Sequence, residues 1–158
     1  MKKSKKIKVA VSGGFDPLHA GHVRLFKQAK KLGNELIVII NNDNWLKKKK
    51  GYFFMPQKER QEIISSLSVV DQAVLTQHKA NDKDGSVCKS LKKIKPDIFA
   101  NGGDRKADNI PEYKLCQNLG IKMVFNVGGD KVQSSSDLVA RVKNSHSKKY
   151  KITGALGR

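Results

Sequence analysis

His19 and His22 stand three residues apart, just behind Gly13-Gly14, in the stretch Val9-Ala10-Val11-Ser12-Gly13-Gly14-Phe15-Asp16-Pro17-Leu18-His19-Ala20-Gly21-His22. An apolar run, a tight glycine turn and the start of a helix together make an anion site. The first N–H groups of a helix have no partner within it, and its dipole favours negative charge there. Gly13 and Gly14 carry no side chain to keep a phosphate from the backbone, and three-residue spacing puts both imidazoles on one helix face. No serine, cysteine or lysine nucleophile is paired with a base in this stretch. The cluster therefore suits stabilisation of charge on phosphate oxygens better than covalent catalysis. A capping or core pair, or half of a metal site, are the plainer readings of the two histidines.

Two further clusters fit phosphate chemistry. Lys47 to Lys50 are four consecutive lysines in a segment, Asn42 to Met55, that lacks periodicity and reads as a mobile loop at the carboxyl end of a strand. Lys47 and Lys49, on alternate positions of that loop, can reach an acceptor phosphate and an α-phosphate together. Ser134, Ser135 and Ser136 offer hydroxyls and backbone N–H groups at a helix start, for a phosphate, for capping, or for both.

The elements that must carry these groups alternate. Lys6 to Ser12, Glu35 to Asn41, Val69 to Thr76, Asp97 to Ala100 and Lys122 to Val127 read as strands. Leu36-Ile37-Val38-Ile39-Ile40 has the unbroken apolar character of a strand buried on both faces. Helices are predicted over Ala20 to Leu32, Pro56 to Leu67, Val87 to Ile94, Ile110 to Leu119 and Leu138 to Asn144. Five strands alternating with helices predict an α/β fold: a single doubly wound, Rossmann-like domain with a five-stranded parallel sheet and helices on both faces. Residues 1–145 form that domain, and 146–158 read as a basic, loosely held tail.

Composition narrows the partners. The net charge of +18 over 158 residues implies anionic ligands: nucleotides, phosphorylated metabolites or nucleic acid. Aromatic residues interleaved with basic ones, the mark of a single-strand binding groove, are missing. Most lysines are then a solvated face. Cys88 and Cys116 have no partner pattern, no apolar run reaches membrane-spanning length, and no signal peptide is read, so a reducing, cytoplasmic setting is expected. His78 and His146 belong to no motif and read as surface residues. The glycines fit neither G-x-G-x-x-G nor the P-loop pattern.

The stretch from Gly13 to His22 closely resembles the first signature of the cytidylyltransferase-like nucleotidylyltransferases. The resemblance continues in order through Asn41-Asn42-Asp43 and the lysines, Glu59-Arg60, Gly102-Gly103-Asp104, and Gln133-Ser134-Ser135-Ser136, covering residues 7 to 142. It implies transfer of CMP or AMP from CTP or ATP to a phosphorylated polyol or sugar, with pyrophosphate leaving. Two branches look nearest. Trp45 to Gly51 is similar to the glycerol 3-phosphate branch, and Pro96 to Asp104 to the branch that activates heptose 1-phosphate.

The resemblance assigns His19, His22, Lys47 and Lys49 to catalysis. Gly13, Gly14, Phe15, Asp16, Gly21, Asp104, Lys131 and Ser134 to Ser136 fall to the nucleotide, and Lys47 and Arg60 to the acceptor. Arg60 and Asp104 can equally be internal ion-pair partners. Asp16 would lie beside the phosphates, orienting water around a Mg2+ that the triphosphate carries, without a metal site on the protein. Lys131 stands where the glycerol branch has an arginine, which leaves the base open. Family members are commonly homodimers. The alternatives are a flavin or pantetheine adenylyltransferase, and a basic nucleic-acid-binding protein that keeps the fold.

Overall fold

The computed structural model describes residues 3–103 and 105–153, with Asn109 and residues 146–153 as backbone only. The chain runs β1 (Lys8–Gly13), α1 (Ala20–Lys30), β2 (Glu35–Ile40), α2 (Asp43–Lys50), α3 (Gln57–Ser65), β3 (Gln72–Leu75), α4 (Cys88–Ile94), β4 (Ile98–Ala100), α5 (Glu112–Leu119), β5 (Lys122–Val124) and α6 (Ser135–Thr153). A single 3-10 turn, Ala107–Asn109, precedes α5.

The strands form one five-stranded parallel sheet in the order β3-β2-β1-β4-β5. This is the predicted doubly wound α/β fold. β1 is central, and Val9, Ala10 and Val11 are fully buried because alternate side chains enter different layers. Val9 and Val11 pack with Phe26 and Ala29 of α1 and Ile64 of α3. Ala10 points the other way, to Leu91 of α4, Phe99 of β4 and Cys116 of α5. Strand order reverses between β1 and β4, so the loops leaving their carboxyl ends diverge and open a crevice there. That switch point is where open α/β sheets bind ligands.

Two elements differ from expectation. The segment expected to be a mobile loop is the helix α2. Asn42 caps it, its side chain accepting from Trp45 N, and Asp43 occupies the first turn. Four lysines fill the last turn, and Gly51 closes the helix at φ 82°. Acid at the start, base at the end and a left-handed glycine outweigh the weak apolar pattern. α6 runs to Thr153 instead of stopping at Asn144, because no proline or glycine interrupts it before Gly154. Residues 154–158 of the expected tail lie outside the described residues.

Candidate active site

The site begins at the turn that ends β1. Phe15 is buried with φ 53°, a left-handed conformation that costs a non-glycine residue on the order of 1 kcal/mol. In return its ring meets His22 edge-on (centroids 5.0 Å apart, 85°) and Phe26 likewise (5.1 Å, 73°). A Cβ on Gly13 would sit 2.9 Å from the Phe15 ring, and one on Gly14 would sit 2.9 Å from Leu46 Cδ2. The room they leave is filled by the chain's own Phe15 and Leu46.

The histidines cap α1 with their own rings. His19 Nδ1 accepts from Gly21 N at 3.1 Å, and His22 Nδ1 accepts from His19 N at 3.3 Å. This is a reciprocal capping box made of imidazoles. The rings stack with centroids 3.7 Å apart and planes 25° from parallel. A Cβ on Gly21 would stand 2.9 Å from His19 Cε1, so only glycine lets His19 fold back.

Because each Nδ1 accepts, each ring is neutral and carries its proton on Nε2. The electrostatics agree. Burial, then the charge of Lys131, lowers the His19 pKa from its usual value. Burial, then His19 and Lys50, pushes that of His22 down to about 3. Capping and function therefore coexist: the Nδ1 atoms hold the backbone, and two Nε2–H groups remain as donors.

A cavity of about 350 Å3 at the switch point is lined by both histidines, Gly21, Lys50, Lys131 and Ser134 to Ser136. Sequence-distant groups thus meet around one space, with the start of α6 opposite the start of α1. Ser134 O accepts from Leu138 N at 3.1 Å, and Ser135 Oγ donates to Pro17 O at 2.9 Å, which ties the two helix starts together. Gly102 and Gly103 also line the cavity. Asp104 lies outside the described residues.

The lysine that faces the histidines is Lys50. Lys47 places its Nζ 5.2 Å from the Phe53 ring centroid, and Lys49 places its own 6.0 Å from that of Trp45. On a helix, residues two apart point about 200° apart, so Lys47 and Lys49 leave different sides of α2 instead of standing on alternate positions of an extended loop. The pairing of Asn42 with Gly51 as caps was the signal that would have shown this.

Arg60 and Asp16 are both buried inside the fold. Arg60 is fully buried. Its guanidinium donates to Met55 O (2.9 Å), Gly14 O (2.7 Å), Asn41 O (2.6 Å) and the Asp43 carboxylate (2.7 Å). Gly14 O and Asn41 O follow β1 and β2 at the carboxyl edge of the sheet and Met55 O precedes α3, and the contact with Asp43 makes Arg60 the internal ion-pair partner of the two readings. Asp16 is 2% exposed, and its two oxygens accept from Phe54 N and Met55 N, each at 2.6 Å. Together they clamp the segment between α2 and α3 against the turn.

His78 is buried, not on the surface. It bonds Thr76 Oγ1 (2.8 Å) and Ser86 O (3.0 Å), while Asn42 N donates to the same Thr76 hydroxyl (3.0 Å) and Asn42 Nδ2 to His78 O (2.8 Å). This network fixes the start of α2. His146 lies among the residues whose side chains are outside the description. Among the described residues no group of three or more His, Cys, Asp or Glu side chains could hold a metal ion.

The family model described as Cytidylyltransferase-like matches residues 10–147. The chain belongs to that family. Membership places it among the nucleotidylyltransferases, and the cavity between the two helix starts is where the signature residues of such an enzyme gather. The chain is similar to the FAD synthase of Pyrococcus horikoshii, 41% identical over 78% of this chain and 80% of that protein. It is also similar to the bifunctional protein HldE of Desulfatibacillum aliphaticivorans, 31% identical over 90% of this chain but only 28% of that one. A solved structure from Thermoplasma volcanium, described as a lipopolysaccharide core biosynthesis protein, shares 31% identity at a TM-score of 0.63 over 77% of this chain and 96% of its own. Among the described residues no helix is long and apolar enough to cross a membrane.

Proposed function

We propose that this nucleotidylyltransferase transfers AMP from ATP to the phosphate of FMN, forming FAD and pyrophosphate. The observation that carries the reaction class is the pair of Nε2–H donors on stacked, neutral His19 and His22, facing the same cavity as the start of α6. The choice of acceptor is supported by the similarity to an FAD synthase at 41% identity over 80% of that protein's own length, against 31% over 28% for HldE. It outweighs the glycerol phosphate and heptose phosphate acceptors expected from sequence. A sugar phosphate acceptor keeps the support of HldE, over a quarter of that protein's length.

A phosphate monoester has a second pKa of about 6, so FMN arrives largely dianionic and needs no protein base. One of its oxygens attacks the α-phosphorus of ATP, the bond from that phosphorus to the bridging oxygen breaks, and the electron pair leaves with pyrophosphate. His19 and His22 donate to oxygens that gain charge as this happens. The free N–H groups of the first turn of α6 hold the β- and γ-phosphates, and Lys50 and Lys131 add positive charge at either side of the histidines. Mg2+ carried by the triphosphate would neutralise part of its charge.

The test is a panel of ATP and CTP against FMN, glycerol 3-phosphate and heptose 1-phosphate, followed by pyrophosphate release. The account expects release with ATP and FMN. Release with a sugar or polyol phosphate and none with FMN would replace the acceptor; binding of polynucleotide with no release from any pair would favour the nucleic-acid reading.

A further inference from the structure

An FMN acceptor has two unlike ends, a phosphate that must reach the histidines and a flat tricyclic ring that needs an aromatic or apolar seat. The histidine cavity has donors for phosphates but no Phe, Tyr or Trp among its lining residues. Such a seat lies just across the last turn of α2. There a second cavity, of about 580 Å3, is lined by Trp45, Ile110 and Pro111 and by the cations Lys49, Lys83 and Arg105, while its two carboxylates, Asp84 and Glu112, accept from the backbone N–H groups of Ser86 and Val87. Its size falls within the roughly 300–1,000 Å3 of small-molecule sites.

Residues close in sequence line the two cavities. Lys50 lines the first and Lys49 the second, and Gly103 lines the first and Arg105 the second. The last turn of α2 thus contributes a lysine to each cavity. These cations match an anionic phosphate.

Trp45 is held for such a task. Its indole N–H donates to Gly85 O at 2.8 Å. At the opposite edge, its Cζ3 stands 3.8 Å from where a Cβ of Gly14 would be, against the turn that positions the histidines. The residue is half-buried and lines a third, adjoining cavity of about 310 Å3 on the side of His78. The network from Asn42 through Thr76 to His78 fixes the helix that bears it. An indole held at both edges, lining two cavities and with the Lys49 ammonium 6.0 Å from its ring centroid, is preorganised for stacking, with little entropy left to lose on binding.

We propose that Trp45 is the platform on which the isoalloxazine ring of FMN stacks, with Lys49 and Arg105 leading its phosphate to His19 and His22. The assignment rests on the flavin reading above, and it makes Trp45 a specificity-determining residue for the acceptor. It also gives Lys49 an acceptor-side role that Lys47, turned to Phe53, does not share.

Trp45 is the single tryptophan of the chain, so its emission reports on this site alone. Titrating the wild-type protein with FMN is expected to quench that emission. Trp45→Ala is expected to weaken FMN binding and raise the KM for FMN about 10- to 100-fold, the range set by loss of one stacked ring. KM for ATP stays within about twofold, and Trp45→Phe recovers most of the loss. If Trp45→Ala does not fold by circular dichroism, the wild-type titration and Trp45→Phe decide the matter. Wild-type protein that makes FAD while its tryptophan emission is unchanged by FMN, or a folded Trp45→Ala with unaltered KM for FMN, overturns the platform and leaves the flavin reading standing. Wild-type protein that neither binds FMN nor forms FAD overturns both.

Discussion

Replacing Arg60 by methionine removes four hydrogen bonds and a cation from a fully buried site while keeping the length of the stem. Three carbonyls and the Asp43 carboxylate lose a charged donor. Leaving a buried group unpaired costs about 1–3 kcal/mol, and breaking a buried ion pair by deleting one partner costs about 3–5 kcal/mol. Asp43 is 21% exposed and can take up water, which favours the lower part of that range.

We expect a loss of about 3–4 kcal/mol, against a total of about 5–15 kcal/mol for a domain. At roughly 2–4 °C per kcal/mol for a chain of this size, the melting temperature falls by about 6–16 °C. Urea unfolding followed by circular dichroism measures this as a lower midpoint at unchanged slope. The KM for acceptor, measured on the folded variant, stays within about twofold if Arg60 only holds the turn to the sheet. A loss below about 1 kcal/mol, or normal stability with a large rise in acceptor KM, would refute the clamp and return Arg60 to the binding site.

His19→Ala should lower kcat about 100- to 1,000-fold at near-normal ATP affinity, as removal of one transition-state donor does; pre-steady-state turnover against equilibrium ATP binding checks it. Gly21→Ala should displace the His19 ring and cost at least tenfold in kcat with the fold intact, since a Cβ there stands 2.9 Å from His19 Cε1; side-by-side kinetics and melting curves separate the two effects. Lys50→Ala should reduce kcat/KM more than Lys47→Ala by about tenfold or more, because only Lys50 faces the histidines. Stability should decline as pH falls through about 6.5 toward 4.5. The unfolded histidines take up protons there while His22, held down to about 3, does not; His22→Asn should flatten that slope in urea titrations across the range.

The sheet was legible because apolar runs such as Leu36 to Ile40 are long, and because buried parallel strands leave no other reading of them. The meeting of His19, His22, Lys131 and Ser134 to Ser136 at one cavity was legible too, through motif order and the rule that ligands bind where strand order reverses. What escaped was the direction of particular side chains. Four adjacent lysines look equivalent along a chain, and only the helical phase of α2 separates Lys50 from Lys47 and Lys49. The caps that define that helix, Asn42 and Gly51, carry no hydrophobic periodicity.

Phe15 and Leu46 occupy the space beside Gly13 and Gly14, and nothing in a sequence says which side chain fills the room a glycine leaves. Arg60 and Asp16 have the residue types of a binding site. Their burial follows from backbone groups at the sheet edge that become visible only when the strands are paired. His78 was hidden for the same reason, its partners Thr76 and Ser86 being arranged by a loop with no pattern.

The account turns on which phosphate attacks the α-phosphorus of ATP. Wild-type protein incubated with ATP, Mg2+ and FMN should form FAD and pyrophosphate in equal amounts, measured by chromatography of the flavins and a coupled pyrophosphate assay. Omission of FMN should abolish pyrophosphate release. Unchanged FMN, with pyrophosphate released from CTP or ATP only when glycerol 3-phosphate or heptose 1-phosphate is supplied, would contradict it.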